Sequence, residues 1–284
     1  MTSIVIPAHN EAQVIGRLLD ALLADSESRA DGTDIVVVCN GCTDDTARVA
    51  AERGPGVRVV EIPTPSKHAA LRTGDEHARG FPRVYVDADV VITHADVRAL
   101  TEPLEDAGSG ILATAPERHI PLDACAWRVR SYYRVWQQLP AVRAGLFGRG
   151  VIAVSKAGHA RITALPPLMA DDLAASLAFG PEERRVVESA RVVVHPPRTW
   201  PDLIRRRIRA AVSTAQVEQH QGPQEATART SKADLTALLR AQPGLLGSVV
   251  VFVAAAVVAR RKAAKAVAAQ DFGTWLRDES SRQN

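Results

Sequence analysis

The sequence predicts an α/β fold, a Rossmann-like and mostly parallel sheet with helices on both faces, followed by a C-terminal helical appendage. Three observations predict it. Short apolar runs alternate with stretches of helical periodicity through the first half of the 284-residue chain, the pattern of successive βα units. One of those runs, Val84-Tyr85-Val86, ends in Asp87-Ala88-Asp89, and open α/β sheets place their ligands beyond the carboxyl ends of such strands. After a polar stretch, the uncharged segment Gly244–Ala259 stands between Arg240 and the triplet Arg260-Arg261-Lys262, which marks it as a separate helical piece.

Element by element, Ser3–Ile6 is a buried strand stopped by Pro7. Asn10 then caps a helix through Leu23, with Val14, Ile15, Leu18, Leu19 and Leu22 at helical spacing. Asp34–Val38 is the second strand, and a helix begins near Asp44 with Thr43 as its cap. Val57–Ile62 is the third strand and leads into a helix over 67–79. Arg83–Val86 is the fourth strand, and 95–106 is helical. Beyond Gly110 the alternation fades, with strands at Ile111–Ala115, Val151–Val154 and Val186–Val194. Cys125–Leu139 carries an amphipathic helical pattern with Trp127, Tyr132, Tyr133 and Trp136, and 200–217 is a basic helix. The stretch 218–232 is polar without a hydrophobic period and reads as a linker. The chain thus divides into a domain at 1–217, with halves 1–110 and 111–217, the linker, and a helical segment at 233–284.

Composition narrows the function classes. Hydrophobic residues are 46% and charged ones 24%, enough for a core of ordinary size. The net charge of +3 and the 4% aromatic content argue against nucleic-acid binding, which needs a basic surface or stacking platforms. The basic clusters at Arg205–Arg209 and Arg260–Lys262 point instead to local anionic partners, phosphates or lipid headgroups. Three cysteines argue against a disulfide framework and for a reducing compartment. The amino terminus, Met1-Thr2-Ser3-Ile4-Val5-Ile6-Pro7, has none of the regions of a signal peptide. These features point to a cytoplasmic catalytic part, associated with the cytoplasmic face of the membrane through 244–262. Gly244–Ala259 is short of the roughly 20 residues of a spanning helix, so an interfacial helix or hairpin fits it best. A buried or oligomer helix, as in a homodimer, and a true span are the alternatives.

Two acids one residue apart at a strand end can aim at one cation. Mg²⁺ and Mn²⁺ are commonly held by one or two carboxylates together with substrate phosphates. Alone, Asp-x-Asp is a frequent surface pattern. Here it stands in order with Ile4-Val5-Ile6-Pro7-Ala8-His9-Asn10-Glu11, Val37-Val38-Cys39-Asn40-Gly41-Cys42-Thr43-Asp44-Asp45 and Ala170-Asp171-Asp172-Leu173. Over about residues 1–215 this resembles the family 2 glycosyltransferases of the GT-A fold, with their Pro-x-x-Asn-Glu opening, Asp-Gly-Ser-x-Asp loop, Asp-x-Asp and Glu-Asp-Asp-like base motif.

The resemblance implies a Mg²⁺- or Mn²⁺-dependent enzyme that moves a sugar from a nucleotide diphosphate donor to an acceptor, whether glycan, lipid or small molecule. It implies that Pro7, His9, Asn10 and Glu11 lie along the nucleoside. Asn40 stands where the family usually has an aspartate that receives the uracil imide. An amide there can accept from the imide and donate to a ring carbonyl, which favours a UDP-linked donor; the plainer reading is a left-handed turn residue before Gly41. Lys67 falls near a helix start, where a phosphate is favoured. The resemblance further implies Asp89 as metal ligand, Asp87 and Ala88 on the donor, and Asp172 as the general base, with Asp171 orienting the acceptor. His195, after the last strand, becomes a second metal ligand. The glycine-rich Gly145-Leu146-Phe147-Gly148-Arg149-Gly150 is placed on the acceptor side. Arg206 and Arg209 stand where processive members carry Gln-x-x-Arg-Trp. The Gln and the Trp are missing, which implies a non-processive enzyme whose arginines clamp the diphosphate. Cys39 and Cys42 lack further ligands for zinc and read as packed thiols. An inverting transferase is the leading reading. A retaining enzyme of the same fold and a catalytically inactive nucleotide-sugar-binding protein are the alternatives.

Overall fold

The computed structural model describes residues 1–24, 32–106, 108–165, 171–221, 230–268 and 280–281, without the side chains of 171–172, 213, 215–221 and 266–268. The chain falls into two compact units. The first comprises Met1–Ile120, Leu146–Pro167 and Ala175–Val194, and the second Pro121–Gly145, Leu168–Ala174 and His195–Asn284.

The first unit is built on one sheet in the order β3-β2-β1-β4-β7-β6-β8-β5. Its strands are β1 (Ser3–Ala8), β2 (Asp34–Asn40), β3 (Val57–Ile62), β4 (Arg83–Val86), β5 (Val90–Val91), β6 (Ala113–His119), β7 (Val151–Val154) and β8 (Arg184–Val194). β1, β2, β3 and β4 are mutually parallel. β7 runs antiparallel to both β4 and β6, and β8 is parallel to β6. Six of these strands therefore share one direction and present their carboxyl ends at one edge, while β7 begins there. β5 pairs antiparallel with β8.

Every residue of β1 and β2 is buried, as expected of central strands covered on both faces. On one face Ile4, Ile6, Ile35 and Val37 meet Ile15, Leu18, Leu19 and Leu22 of α1 (Ile15–Leu23) and Val97 and Leu100 of α4 (His94–Glu105). On the other face Val36 and Val38 pack on Ala70 of α3 (Lys67–His77). The fold class expected from the alternation is the one observed.

Several local expectations are corrected. Pro7 does not stop β1; it pairs with Val38 inside the strand. Pairing with β4 ends at Val5↔Tyr85, so Pro7 lies where only one neighbour makes demands on the backbone. Asn10 does not cap α1. That helix starts at Ile15 without a side-chain cap, and the Glu11 carbonyl accepts from the Val14 and Ile15 N–H groups. Thr43 does not cap α2 (Thr46–Ala51); Asp44 Oδ1 accepts from the Thr46 N–H at 3.1 Å instead. β6 is longer than expected and carries an irregularity at Pro116/Glu117. α7 (Lys156–Thr163), which follows β7, is an element that the apolar pattern does not announce.

The second unit is helical. It contains α5 (Trp127–Trp136), α6 (Pro140–Ala144), α9 (Trp200–Gln221), α10 (Lys232–Ala241) and α11 (Leu246–Ala268); the chain enters it through 171–174 of α8 (Asp171–Leu177). α11 packs on α5 and α9. Tyr132 stacks on Phe252 with ring centroids 5.1 Å apart, and Val129, Leu203, Ile208 and Ala255 are buried. The stretch expected as a linker opens inside α9, which runs to Gln221. Residues 222–229 lie outside the described ones, and Ser231 caps α10. A hydrophobic hairpin at 244–259 is corrected to one continuous helix, since Leu246–Ala268 has no interruption after a 3-10 turn at Pro243–Leu245.

Candidate active site at the carboxyl edge of the sheet

The carboxyl edge of the first unit gathers three loops. After β1, Asn10 adopts a left-handed backbone with φ +53°. Its Oδ1 accepts from the Thr43 N–H at 2.7 Å, which ties the β1 loop to the β2 loop. Glu11 is buried, and its N–H donates to Thr46 Oγ1 at 2.8 Å. His9 Nδ1 lies 2.6 Å from the carbonyl oxygen of Asn40. A carbonyl only accepts, so Nδ1 carries the proton and Nε2 is the acceptor nitrogen.

Asn40 is the last residue of β2 and is buried. Its Nδ2 donates to the Ala8 carbonyl at 2.8 Å, so one of its two amide N–H groups already fastens β2 to β1. The left-handed position expected at Asn40 falls on Gly41, with φ +56°. A Cβ on Gly41 would stand 2.8 Å from the Pro65 nitrogen, so the turn requires glycine. Cys39 is buried in β2, and burial together with the neighbouring Cys42 pushes its thiol up to about 12. A thiol held protonated in this way is a packed side chain rather than a metal or redox ligand.

After β4 the strand's alternation continues into the turn. Ala88 is buried, whereas Asp87 and Asp89 on either side are partly exposed. The turn is closed by the Val90 N–H donating to the Asp87 carbonyl at 3.4 Å and is anchored by the Asp87 N–H donating to the Gly150 carbonyl at 2.7 Å. Lys67, the first residue of α3, reaches it: Nζ lies 2.8 Å from Asp87 Oδ1. Ser66 caps α3 by accepting from the Ala69 N–H at 3.2 Å.

Among the described residues no three His, Cys, Asp or Glu side chains form a metal-holding cluster. Two carboxylates beside a lysine still fit Mg²⁺ or Mn²⁺, because these ions commonly complete their shell with substrate phosphates and water. The remaining predicted residues belong to the second unit. There Arg206 Nη1 donates to the His195 carbonyl at 3.4 Å, and Arg209 lies on the same helix, α9. Asp171 and Asp172 open α8, and their side chains lie outside the described ones.

Two features of the edge are not readable from the sequence alone. One is the Lys67–Asp87 pair, which no local pattern announces. The other is the grip of Gly150 on Asp87, although the paired glycines around Arg149 are a signal of tight backbone approach.

The chain matches the family model described as glycosyl transferase family 2 over residues 3–159. It is 33% identical to a dolichyl-phosphate beta-glucosyltransferase of Drosophila melanogaster over 46% of this chain and 44% of that protein. It is 31% identical to an undecaprenyl-phosphate 4-deoxy-4-formamido-L-arabinose transferase of Edwardsiella ictaluri over 39% of this chain and 36% of that protein. The matches thus span less than half the length of these relatives. Among solved structures, a mannosyltransferase of Pyrobaculum calidifontis in complex with GDP-Man and Mn²⁺ superposes with a TM-score of 0.59 at 21% identity, covering 99% of this chain and 84% of that one. A glucosyl-3-phosphoglycerate synthase of Mycobacterium tuberculosis, in complex with Mn²⁺, UDP-glucose and phosphoglyceric acid, gives 0.56 at 21% identity over 80% and 81%. These likenesses establish the shared GT-A fold.

Proposed function

The chain belongs to glycosyl transferase family 2, and from that premise we propose that it is a metal-dependent, non-processive, inverting transferase. Its donor is a nucleotide diphosphate sugar, UDP-linked, and its acceptor is an anionic or lipid-borne nucleophile, in keeping with the polyprenyl phosphates named for its relatives. The observation that carries the reading is the convergence of Asp87, Lys67 and the tied His9–Asn40 and Asn10–Thr43 loops at one carboxyl edge.

Each residue then has a task. Asn40 offers its amide oxygen to the imide N–H of the base, while one amide N–H remains on Ala8. Lys67, at a helix amino terminus, faces the diphosphate with both its ammonium and the helix dipole. Asp89, with Asp87 beside it, would hold the cation together with the diphosphate oxygens. A bound Mg²⁺ or Mn²⁺ supplies charge neutralisation on the departing diphosphate. Asp172 takes the proton of the acceptor as it attacks the anomeric carbon, a role worth about 10²–10⁴-fold in rate. Asp171 would orient the acceptor, Arg206 and Arg209 would meet the diphosphate, and His195 would serve as the second protein ligand of the cation.

Thermal melting with UDP or GDP, each with and without Mn²⁺, tests the donor half. A ligand at about 100 times its dissociation constant stabilises by about 2.7 kcal/mol, and the Mn²⁺-dependent part of that shift is expected to vanish in Asp89→Ala. Asp172→Asn tests the transfer half and is expected to keep donor affinity while turnover falls by about 10²–10⁴-fold. No Mn²⁺-dependent shift with either nucleotide would refute the donor assignment. Normal turnover in Asp172→Asn, or a product that keeps the donor's anomeric configuration, would refute inversion by this base.

For the acceptor side, the reading places α11 on a lipid surface. One face of the helix is packed, with Val249, Phe252, Ala255 and Ala259 buried. The opposite face leaves Leu246 60%, Val250 62% and Val257 42% exposed. The exposed apolar turns end in the basic group Arg260, Arg261, Lys262 and Lys265. Pro243–Lys265 is long and apolar enough to cross a membrane, with mean hydropathy 2.0, but a helix packed along one side is suited to lie in the interface plane.

A further inference from the structure

We propose that Arg149 is a positioning residue for the Asp87-Ala88-Asp89 turn, acting through the carbonyl of Gly150. The inference rests on the reading that this turn holds a cation with a nucleotide diphosphate.

Arg149 stands between two glycines that both take left-handed backbone, Gly148 at φ +65° and Gly150 at φ +67°. Its side chain turns away from solvent, only 3% of the residue being exposed, and Nη1 donates to the Pro116 carbonyl of β6 at 2.7 Å. Burying a guanidinium is unfavourable, and an apolar side chain would fill such a space more cheaply. Burial lowers this group to about 10 against the opposing influence of Glu117. The hydrogen bond to the Pro116 carbonyl ties this buried guanidinium to the backbone of β6.

What it fixes is the start of β7. Pro116 lies beyond the last β6–β7 pair, Thr114↔Ala153, so no ladder bond joins those two strands at this point. The Arg149–Pro116 bond bridges that gap from side chain to backbone. The next residue, Gly150, then accepts the Asp87 N–H at 2.7 Å, directly before the pair Val86↔Val151. Gly150 is also close-packed on the acidic turn: a Cβ there would lie 2.5 Å from Val90 Cγ1 and 3.4 Å from Asp87 Oδ2. Asp87 is thus held at its N–H by Gly150 and at Oδ1 by Lys67, 2.8 Å away. A shift of the Gly148–Gly150 turn would displace the carboxylates directly, while the base-side loops after β1 and β2 would keep their own hydrogen bonds.

The test is Mn²⁺ binding read by electron paramagnetic resonance of free Mn²⁺ in the presence of UDP, beside metal-free UDP binding by calorimetry. Arg149→Met is expected to weaken Mn²⁺ affinity roughly 10–100-fold, as loss of an outer-shell partner does, with metal-free UDP affinity unchanged. Arg149→Lys, which keeps a cationic donor for Pro116, is expected to restore most of the Mn²⁺ affinity; a merely space-filling role would leave Lys no better than Met. If Arg149→Met does not fold, Gly150→Ala reads the same link and is expected to give the same pattern. Parent-like Mn²⁺ affinity in these variants overturns the inference, and so does an equal loss of metal-free UDP binding. A parent protein without UDP-linked Mn²⁺ binding overturns the donor reading as well, a result distinct from either.

Discussion

In the loops after β1 and β2, Asn10 and Gly41 take left-handed backbone, at φ +53° and +56°. Gly41 has no substitute, because its left-handed turn lies against Pro65. Gly41→Ala is expected to destabilise by about 1–3 kcal/mol, the range for a strained non-glycine backbone, measured by urea denaturation. At the opposite edge of the sheet Asp34 is the tightest knot. Ser3 Oγ donates to it at 3.0 Å, Arg58 Nη2 at 2.6 Å and the Arg79 N–H at 3.0 Å. Burial pushes this carboxyl up, but the hydrogen bonds from Arg79, Arg58 and Ser3 outweigh it and hold the group below its ordinary 3.8. A carboxyl lowered by folding adds stability that is complete above its unfolded value and lost as pH falls through the folded one. Asp34→Asn is therefore expected to lower stability at pH 7 by about 1–3 kcal/mol and to flatten the acid limb below about pH 4. Melting curves from acid to neutral pH check both effects; an unchanged acid limb would exclude Asp34 as its source.

At the scale of elements, legibility followed the range of the forces that define each one. β2, β3, β4 and β7 are apolar runs bounded by turn residues, and their positions agree with the sequence reading within two residues or better. Ser66 is an acceptor side chain in the right place, and the helix after it begins at the expected residue. The misreadings have long-range causes. Asn10 looks like a cap, but its side chain is engaged across the edge with Thr43. β5 is defined only by pairing with β8, Val90↔Val194 and Val91↔Val193, so no local pattern reveals it. The reversed direction of β7 is likewise a property of its neighbours. The motifs of the candidate site stand out in the sequence, yet the Lys67–Asp87 and Asp87–Gly150 contacts do not, since each joins residues far apart in the chain. Thr93 shows how a local signal can carry a tertiary link. It caps α4 in a reciprocal box with Asp96, and Asp96 Oδ1 also accepts from the Arg191 N–H of β8 at 2.9 Å. Thr93→Ala is expected to cost about 0.5–2 kcal/mol, and Asp96→Ala more, because it also removes the β8 contact. Equal losses in the two variants, read by urea denaturation, would show that the β8 link adds nothing.

At the scale of the whole molecule, the α/β unit carries the candidate site, and the helical unit carries an extended apolar face left open to solvent. α11 spans about 34 Å at 1.5 Å per residue, and its two faces are chemically distinct. Val249, Phe252 and Ala255 are already packed, so the surface available to a bilayer is the stripe Leu246, Val250, Val253 and Val257. The basic turn beyond it, Arg260 to Lys265, lies where an interfacial helix meets headgroups, at about 1 kcal/mol per basic residue near an anionic surface. Two signals of different physics should therefore separate experimentally. The full chain is expected to float with vesicles containing anionic phospholipid, more weakly with neutral vesicles and at high salt, where the electrostatic part is screened. Val250→Lys with Val257→Lys should abolish flotation while leaving the melting temperature and UDP-linked Mn²⁺ binding as in the parent, because both positions are exposed. Arg260→Gln with Arg261→Gln should remove the preference for anionic lipid but keep residual binding to neutral vesicles. Recovery of the parent wholly in the vesicle-free fraction would exclude the lipid surface. A concentration-dependent dimer lost in the Val250/Val257 variant would instead assign that stripe to a second copy of the chain.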